Sequence, residues 1–439
     1  MEDREYIISK IINLILYSVV CIMPFVIMPN AKRSYLRGKV LFMFVTFVLL
    51  LAISVIGKKI TLCKENVIAI IFFATLAIAT IFSDYKKIAM FGNQYRNEGL
   101  LMIGIYILLY IIATNYIVIN KTIIKIVLAF PSVMAIYCDM QMLGIDPIQN
   151  KLFGKSLLPT VSIGTIGNYN FVSSYFCLFI FVSMALYIYK KDLYYLIASI
   201  IIFSGLLSSR TRGGWLAFII VSIIGFLLMH EKKKKIIPSI ILLFSFVVTL
   251  FSLNYLSDNK IIDRAGINNF IEMSERQDNN IILLASPDNE EKNIKIVGSV
   301  SSRMNILKVY FKVFKDHPLL GQGPDTMLSN LSDNYKEELN NHITLYGESI
   351  DKAHNEYVEY AVSGGIFTVL TYGLMLFFVL YGLIKNREKE DAFISLMLVL
   401  GYIIQAIFNI SVVMVAPIFW IFLGVATKTK NKYYYVSKH

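Results

Sequence analysis

Four polar patches interrupt an otherwise apolar chain, and each carries residue types able to hold an anion or move a proton. In SSRTRGGWLAF, residues 208–218, Arg210 and Arg212 precede Gly213 and Gly214 at the entry to an apolar run. Guanidinium groups beside a helix N-terminus bring bidentate donors, fixed charge and a favourable dipole, which are the physical requirements for holding a diphosphate. Snorkelling towards lipid headgroups accounts for one such arginine well, and less well for a pair followed by two glycines.

In DKAHNEYVEYAVSGG, residues 351–365, His354 stands near the start of a helix that continues into an apolar run. That places it roughly two turns above a membrane surface. An imidazole that titrates near neutrality is the usual general base for a hydroxyl. The bland alternative is a solvated loop histidine, which is the reading for His342 and a reasonable one for His317. Gly364 and Gly365 permit close helix approach and need no catalytic role. SSRMNILKVYFKVFKDHPLLGQGPDTM, residues 301–327, adds Arg303.

FGNQYRNEGLL, residues 91–101, sets Arg96 and Glu98 just before a further apolar run, as an interfacial anchor or as ligand contacts. GTIGNYNFVSSY, residues 164–175, offers two glycines and two asparagines at a helix entrance. This suits a tight turn and a cap with backbone N–H groups free to meet an anion, capping being the structural use of Asn168 and Asn170.

The elements that must position these patches are membrane helices. Of 439 residues, 56% are hydrophobic and 16% charged, and the mean hydropathy is +0.62. These values are far from those of a soluble domain. Apolar runs of the roughly 20 residues needed to cross the hydrocarbon core recur along the chain. They predict an all-α polytopic membrane protein of about twelve spans, near 7–28, 39–56, 65–82, 99–119, 122–142, 169–189, 192–208, 213–229, 236–256, 362–384, 391–408 and 410–427. The first run follows early acidic residues, has no small-residue cleavage site and reads as a retained span.

Lys and Arg concentrate in HEKKKK, KNREKED and the C-terminal KTKNKYYYVSKH, which places these segments and the N-terminus in the cytoplasm. NAKRSYLRGK, residues 30–39, disagrees, with four positive residues on the outer face. The only long hydrophilic stretch then becomes one large extracytoplasmic loop between spans nine and ten. The organisation is 1–256, helices one to nine; 257–361, the loop domain; and 362–439, the last three helices and a cytoplasmic tail. The Asn- and acid-rich part of the loop, to about residue 298, reads as flexible and the rest as ordered.

The net charge of +12 is spread over short loops and not gathered in one basic domain, which argues against nucleic acid as a partner. Cys21, Cys63, Cys138 and Cys177 have no metal-type spacing. There is no internal repeat and no soluble nucleotide-binding domain.

In this order and on this topology, the patches resemble the O-antigen ligase and Wzy-type polymerase superfamily of bacterial envelope glycosyltransferases. The resemblance covers most of the chain and rests on the Gly-x-x-x-Arg-x-x-Gly-like stretch around Arg96, GTIGNYN, RGGWLA, HPLLGQGP and HNEYVEYAVSGG. It implies a GT-C-like architecture in the bacterial cytoplasmic (inner) membrane, with the active site on the extracytoplasmic face. The implied reaction is an inverting, metal-independent transfer of glycan from a polyprenyl diphosphate carrier to a glycan or other hydroxyl acceptor, without a cofactor. Carried over by motif, Arg212 with its neighbours Arg210 and Gly213 would hold the diphosphate, and Arg303 would add a second cationic contact. His354 would act as base or orient the acceptor. Arg96, Glu98, Asn168, Asn170, Asn355 and Glu356 are candidate donor or acceptor contacts.

Two features depart from the family pattern: a second arginine in the turn, and the long Asn- and acid-rich insertion before Arg303. The chain has no Asp-x-Asp pair, consistent with a lipid-linked donor. Nothing in the outer loop marks a terminal acceptor, which favours a polymerase of repeat units. The alternatives are ligase-type transfer of finished glycan to lipid A core, cell wall or protein, and, from another class, a transporter or flippase for a lipid-linked precursor. Transporters place coupling charges near the bilayer midplane, where ionisable residues are scarce in this sequence.

Overall fold

A computed structural model describes residues 2–29, 31, 33–54, 60–148, 162–266 and 290–436, and among them every regular element is helical. In chain order these are α1 (Glu2–Cys21), α2 (Ser34–Ser54), α3 (Lys64–Phe82), α4 (Lys86–Phe91), α5 (Leu100–Tyr116), α6 (Lys121–Met142), α7 (Tyr169–Lys190), α8 (Leu193–Ser208) and α9 (Arg212–Leu228). They continue as α10 (Lys232–Leu256), α11 (Lys260–Ala265), α12 (Glu290–Asp316), α13 (Met327–Asn334), α14 (Lys336–Tyr346), α15 (Glu356–Lys385), α16 (Glu390–Gln405) and α17 (Ala416–Val436).

Among the described residues, seven helices are long and apolar enough to cross a membrane: α1, extended by a short turn to Phe25, and α2, α3, α6, α7, α10 and α15. Three shorter apolar helices, α5, α8 and α9, lie among them. The chain is thus a polytopic, all-helical membrane protein over its described residues.

The degree of burial ranks the helices. In α7, 89% of the apolar stretch is buried, against 22% in α10. A helix hydrophobic all round belongs at the centre of a bundle, and α7 packs against α8, α16, α9, α10 and α6. Phe244, Ile237 and Leu243 of α10 point outwards, as a lipid-facing surface requires.

The last apolar segment, expected as a helix from residue 410, becomes helical only at Ala416. Residues 409–415 form a buried irregular connection. Their side chains explain why the non-helical backbone is tolerated. Asn409 Nδ2 donates to the Asn170 carbonyl and to Ser174 Oγ, both at 2.7 Å, and Ser411 Oγ donates to Glu98 at 2.6 Å. Irregular backbone at depth survives only inside protein with its polar groups satisfied.

The basic segment 30–39 also has a structural explanation. Lys39 is buried, and its ammonium donates to the carbonyls of Val26, Tyr35 and Thr165, tying α2 to the turn before α7. Arg33 stacks over the Tyr95 ring at 3.7 Å. Two of the four misplaced charges are therefore engaged within the protein.

The hydrophilic segment 257–361 has its own small core. In α12, Ile306, Val309, Tyr310 and Val313 recur at helical spacing and pack with Met327, Leu331, Leu339 and Ile350. Of the part expected to be flexible, residues 267–289 lie outside the described residues; 257–266 include α11, and 290–298 lie in α12.

HPLLGQGP clamps α15 where it breaks. Gln322 N and Gly323 N donate to the carbonyls of Val362 and Ser363, and Ile366 N donates to the Pro318 carbonyl. Gly365 has φ 75° and ψ −172°, a conformation open essentially to glycine alone, and a Cβ there would meet the Leu319 carbonyl oxygen at 2.1 Å. Gly365→Ala is expected to lower the detergent-solubilised melting temperature, because strain and clash act together.

Candidate functional site

The N-terminal ends of α5, α7, α9 and α15 meet at one end of the bundle. Thr211 Oγ donates to the Tyr169 carbonyl at 3.1 Å, and Glu356 N donates to the Ala406 carbonyl at 3.0 Å. Where α7, α9, α11, α12 and the segment before α15 converge there is a cavity of about 270 Å³. Arg212, Arg264, Arg303, Glu348, His354 and Asn170 line it, with Gly213 at the helix entry and Tyr169, Leu216, Ile306 and Phe408 among the walls.

The cationic side is built around α9. A Cβ on Gly213 would lie 2.8 Å from Phe408 Cβ, and one on Gly214 would lie 1.9 Å from Ser173 Oγ. The glycines therefore let the first turn of α9 nest against the α16–α17 connection and α7. Arg212 Nε donates to the Arg264 carbonyl at 2.8 Å, while Arg264 Nε donates to the Arg210 carbonyl at 3.2 Å. This reciprocal latch fixes the short helix α11 over the arginine turn. Arg210 takes a left-handed conformation, φ 50°, and is not among the cavity residues. Three arginines and a helix N-terminus around one small cavity favour an anion.

His354 lines the same cavity on a strap, residues 351–355, fastened on both sides of the histidine. Asp351 accepts from Arg96 Nε at 3.0 Å and Nη2 at 2.5 Å. Lys352 Nζ lies 3.1 Å from Glu359, 3.3 Å from Asp325 and 3.9 Å from Glu98. Ala353 N donates to Glu359 Oε2, and Asn355 caps α15 by accepting from the N–H groups of Tyr357 and Val358. His354 itself has φ 52°, and its buried Nδ1 has no hydrogen-bond partner among the described residues. Burial lowers its pKa, and the charges of Arg303 and Arg96 act in the same direction. The ring is thereby kept neutral and ready to accept a proton.

The strap rests on a buried charge cluster. Burial alone would lower the Lys352 ammonium, but Asp325, Glu359 and Glu98 outweigh it and raise the pKa. Three carboxylates share this one ammonium, and the most distant, Glu98, is pushed up to about 7 by burial. Hydroxyls of Ser411 and Tyr106 donate to Glu98, and Asp325 accepts from Asn93 N, Asn93 Nδ2 and Glu98 N. Lys352→Met would strand these carboxylates, and breaking a buried pair commonly costs about 3–5 kcal/mol. The variant is expected to melt at markedly lower temperature in detergent.

Of the residues singled out in the sequence, the fold brings Arg212, Gly213, Arg303, His354 and Asn170 together at the cavity. The others stand behind it. Arg96 braces Asp351, Glu98 lies in the Lys352 cluster, and Asn168 accepts from Asn170 N at 2.8 Å as the cap of α7. Asn355 caps α15. Glu356 is 1% exposed and accepts from the Tyr372 and Tyr402 hydroxyls at 2.8 and 2.7 Å within the bundle.

His342 is not solvated. It is fully buried in α14, against Tyr346, because α14 turns that face towards the core of the cap. Arg264, Glu348 and Lys352 escaped sequence reasoning. Lys352 had a signal, being two residues from His354; Arg264 and Glu348 had none, since each sits in an ordinary polar loop sequence.

A family model described as O-antigen ligase matches residues 197–373, less than half of the chain. The match takes in the arginine turn, α11, α12 and the start of α15, and so every charged residue of the cavity. No curated protein matches the chain. Residues 197–373 are therefore similar to the O-antigen ligase family, in line with the resemblance to the O-antigen ligase and Wzy superfamily.

Proposed function

We propose that the protein is an inverting membrane glycosyltransferase that takes glycan from a polyprenyl diphosphate carrier and joins it to a glycan hydroxyl outside the bacterial cytoplasmic membrane. The observation that carries this reading is the cavity itself, lined by Arg212, Arg264 and Arg303 together with the strap-held His354. In this reading the acceptor oxygen attacks the anomeric carbon as the bond from that carbon to the diphosphate oxygen breaks. The electron pair leaves with the diphosphate, and the hydroxyl proton passes to His354. Negative charge grows on the leaving group, so preorganised arginines stabilise the transition state more than the ground state. Fixed guanidinium charge does the work a metal ion would otherwise do, and the reaction is proposed to need none.

The proposed topology has twelve spans, counting α16 and α17 with the ten apolar helices, in a GT-C-like arrangement. With the N-terminus proposed to be cytoplasmic, the cavity and the cap, residues 257–361, would face the extracytoplasmic side, between helix blocks 1–256 and 362–439. The acceptor is proposed to be the end of another lipid-linked repeat, making the enzyme a polymerase. Reconstitution with a lipid-linked repeat unit tests this. A ladder of products is expected. One discrete transfer to an added acceptor would make it a ligase, and movement of the lipid across liposomes without new glycosidic bonds would make it a transporter.

A further inference from the structure

One carboxylate stands in the cationic cavity without forming an ion pair with any of its arginines among the described residues. Glu348 is 58% exposed at its side chain and lines the cavity with Arg212, Arg264 and Arg303, yet no arginine nitrogen lies within 4.0 Å of it among the described residues. Its Oε1 is held elsewhere. The buried Ser302 hydroxyl donates to it, and His342 Nε2 lies 4.0 Å away. Oε2 has no hydrogen-bond partner among the described residues.

A carboxylate left beside an incoming diphosphate would repel it, so its location is informative. Ser302 immediately precedes Arg303 on α12 and engages Oε1 of Glu348, which shares the cavity wall with His354. The cavity thus offers guanidinium donors for an anion together with a carboxylate oxygen and an imidazole that can accept hydrogen bonds. An ionised carboxylate accepts strong hydrogen bonds from sugar hydroxyls and disfavours acidic sugars.

From this arrangement we infer that Glu348 is an acceptor-binding residue: its free oxygen accepts hydrogen bonds from hydroxyls of a neutral or amino sugar of the acceptor. The inference rests on the glycan-transfer reading. It also predicts that an acceptor with a uronic acid at its reacting end is a poor substrate.

The test is steady-state transfer by the full-length protein in liposomes, with lipid-linked glycan from the source cells as donor and the corresponding glycan released from lipid as acceptor. Glu348→Gln keeps size and exposure and loses the charge. It is expected to raise the acceptor KM about tenfold, the effect of one lost charge-assisted hydrogen bond, with donor KM and kcat nearly unchanged. Glu348→Asp should recover part of the loss. An unchanged acceptor KM, or a fall in kcat or rise in donor KM without an acceptor effect, would overturn the assignment while leaving glycan transfer standing. No product from the wild-type protein would instead remove the transfer reading itself, and this inference with it.

Discussion

His354→Ala is expected to reduce glycan transfer by roughly 10²–10⁴-fold, the contribution typical of a positioned general base. The loss should appear in kcat at saturating donor, with membrane insertion and melting temperature close to wild type, since the buried Nδ1 makes no hydrogen bond that the fold would lose. The pH profile gives an independent check. Burial and the neighbouring arginines lower the His354 pKa from its ordinary 6.5, so the active neutral form persists to lower pH. Activity should therefore hold through neutrality and fall only as pH drops below 6.5. Arg303→Gln removes one of the charges that depress the ring and should move this acid limb upwards, even in the residual activity. Near-wild-type turnover by His354→Ala would mean that another group takes the proton.

The second large effect is expected at Arg212. Arg212→Ala removes a diphosphate donor, and loss of one such electrostatic donor commonly costs roughly 10²–10³ in kcat. Arg212 also latches α11 through the Arg264 carbonyl, so more than its charge is lost. Arg212→Lys should therefore rescue poorly, because an ammonium restores the charge but neither the planar fork nor the reach of Nε. Arg210→Ala is expected to be much milder, as Arg210 contributes its backbone carbonyl to the latch and is not among the cavity residues. Measuring turnover of a lipid-linked donor across the three variants separates the two arginines. Equal losses at both positions would show that the latch and the cavity act as one unit.

The places where the sequence was legible share a physical cause. Apolar runs of membrane-crossing length and the turns between them are written locally, so α3, α6 and α7 begin within a residue of where hydropathy put them. The cap at Asn168 was equally local: it accepts from the Asn170 N–H two residues on, whereas Asn355, expected as a substrate contact, also proves to be a cap. By contrast, the start of α17 was misread because Ile410–Val415 are apolar enough to be helix, and only Asn409 and Ser411, paired with α7 and Glu98, show why the chain stays irregular there.

The same division runs through the site. By itself the sequence determined a membrane-held chain, the arginine-glycine turn and a histidine at the foot of a polar loop, because residue type and local period carry that information. Only the tertiary structure decided which of Arg210 and Arg212 enters the cavity, that Arg264 joins them, and that Glu348 faces the same space. It also decided that Lys352, adjacent in sequence to residues at the cavity, is buried as the anchor beneath His354. These outcomes rest on contacts across long stretches of chain, such as Arg96 with Asp351 and Arg212 with Arg264. No local pattern encodes them, since each depends on how helices pack and which side chains they bring within hydrogen-bonding distance.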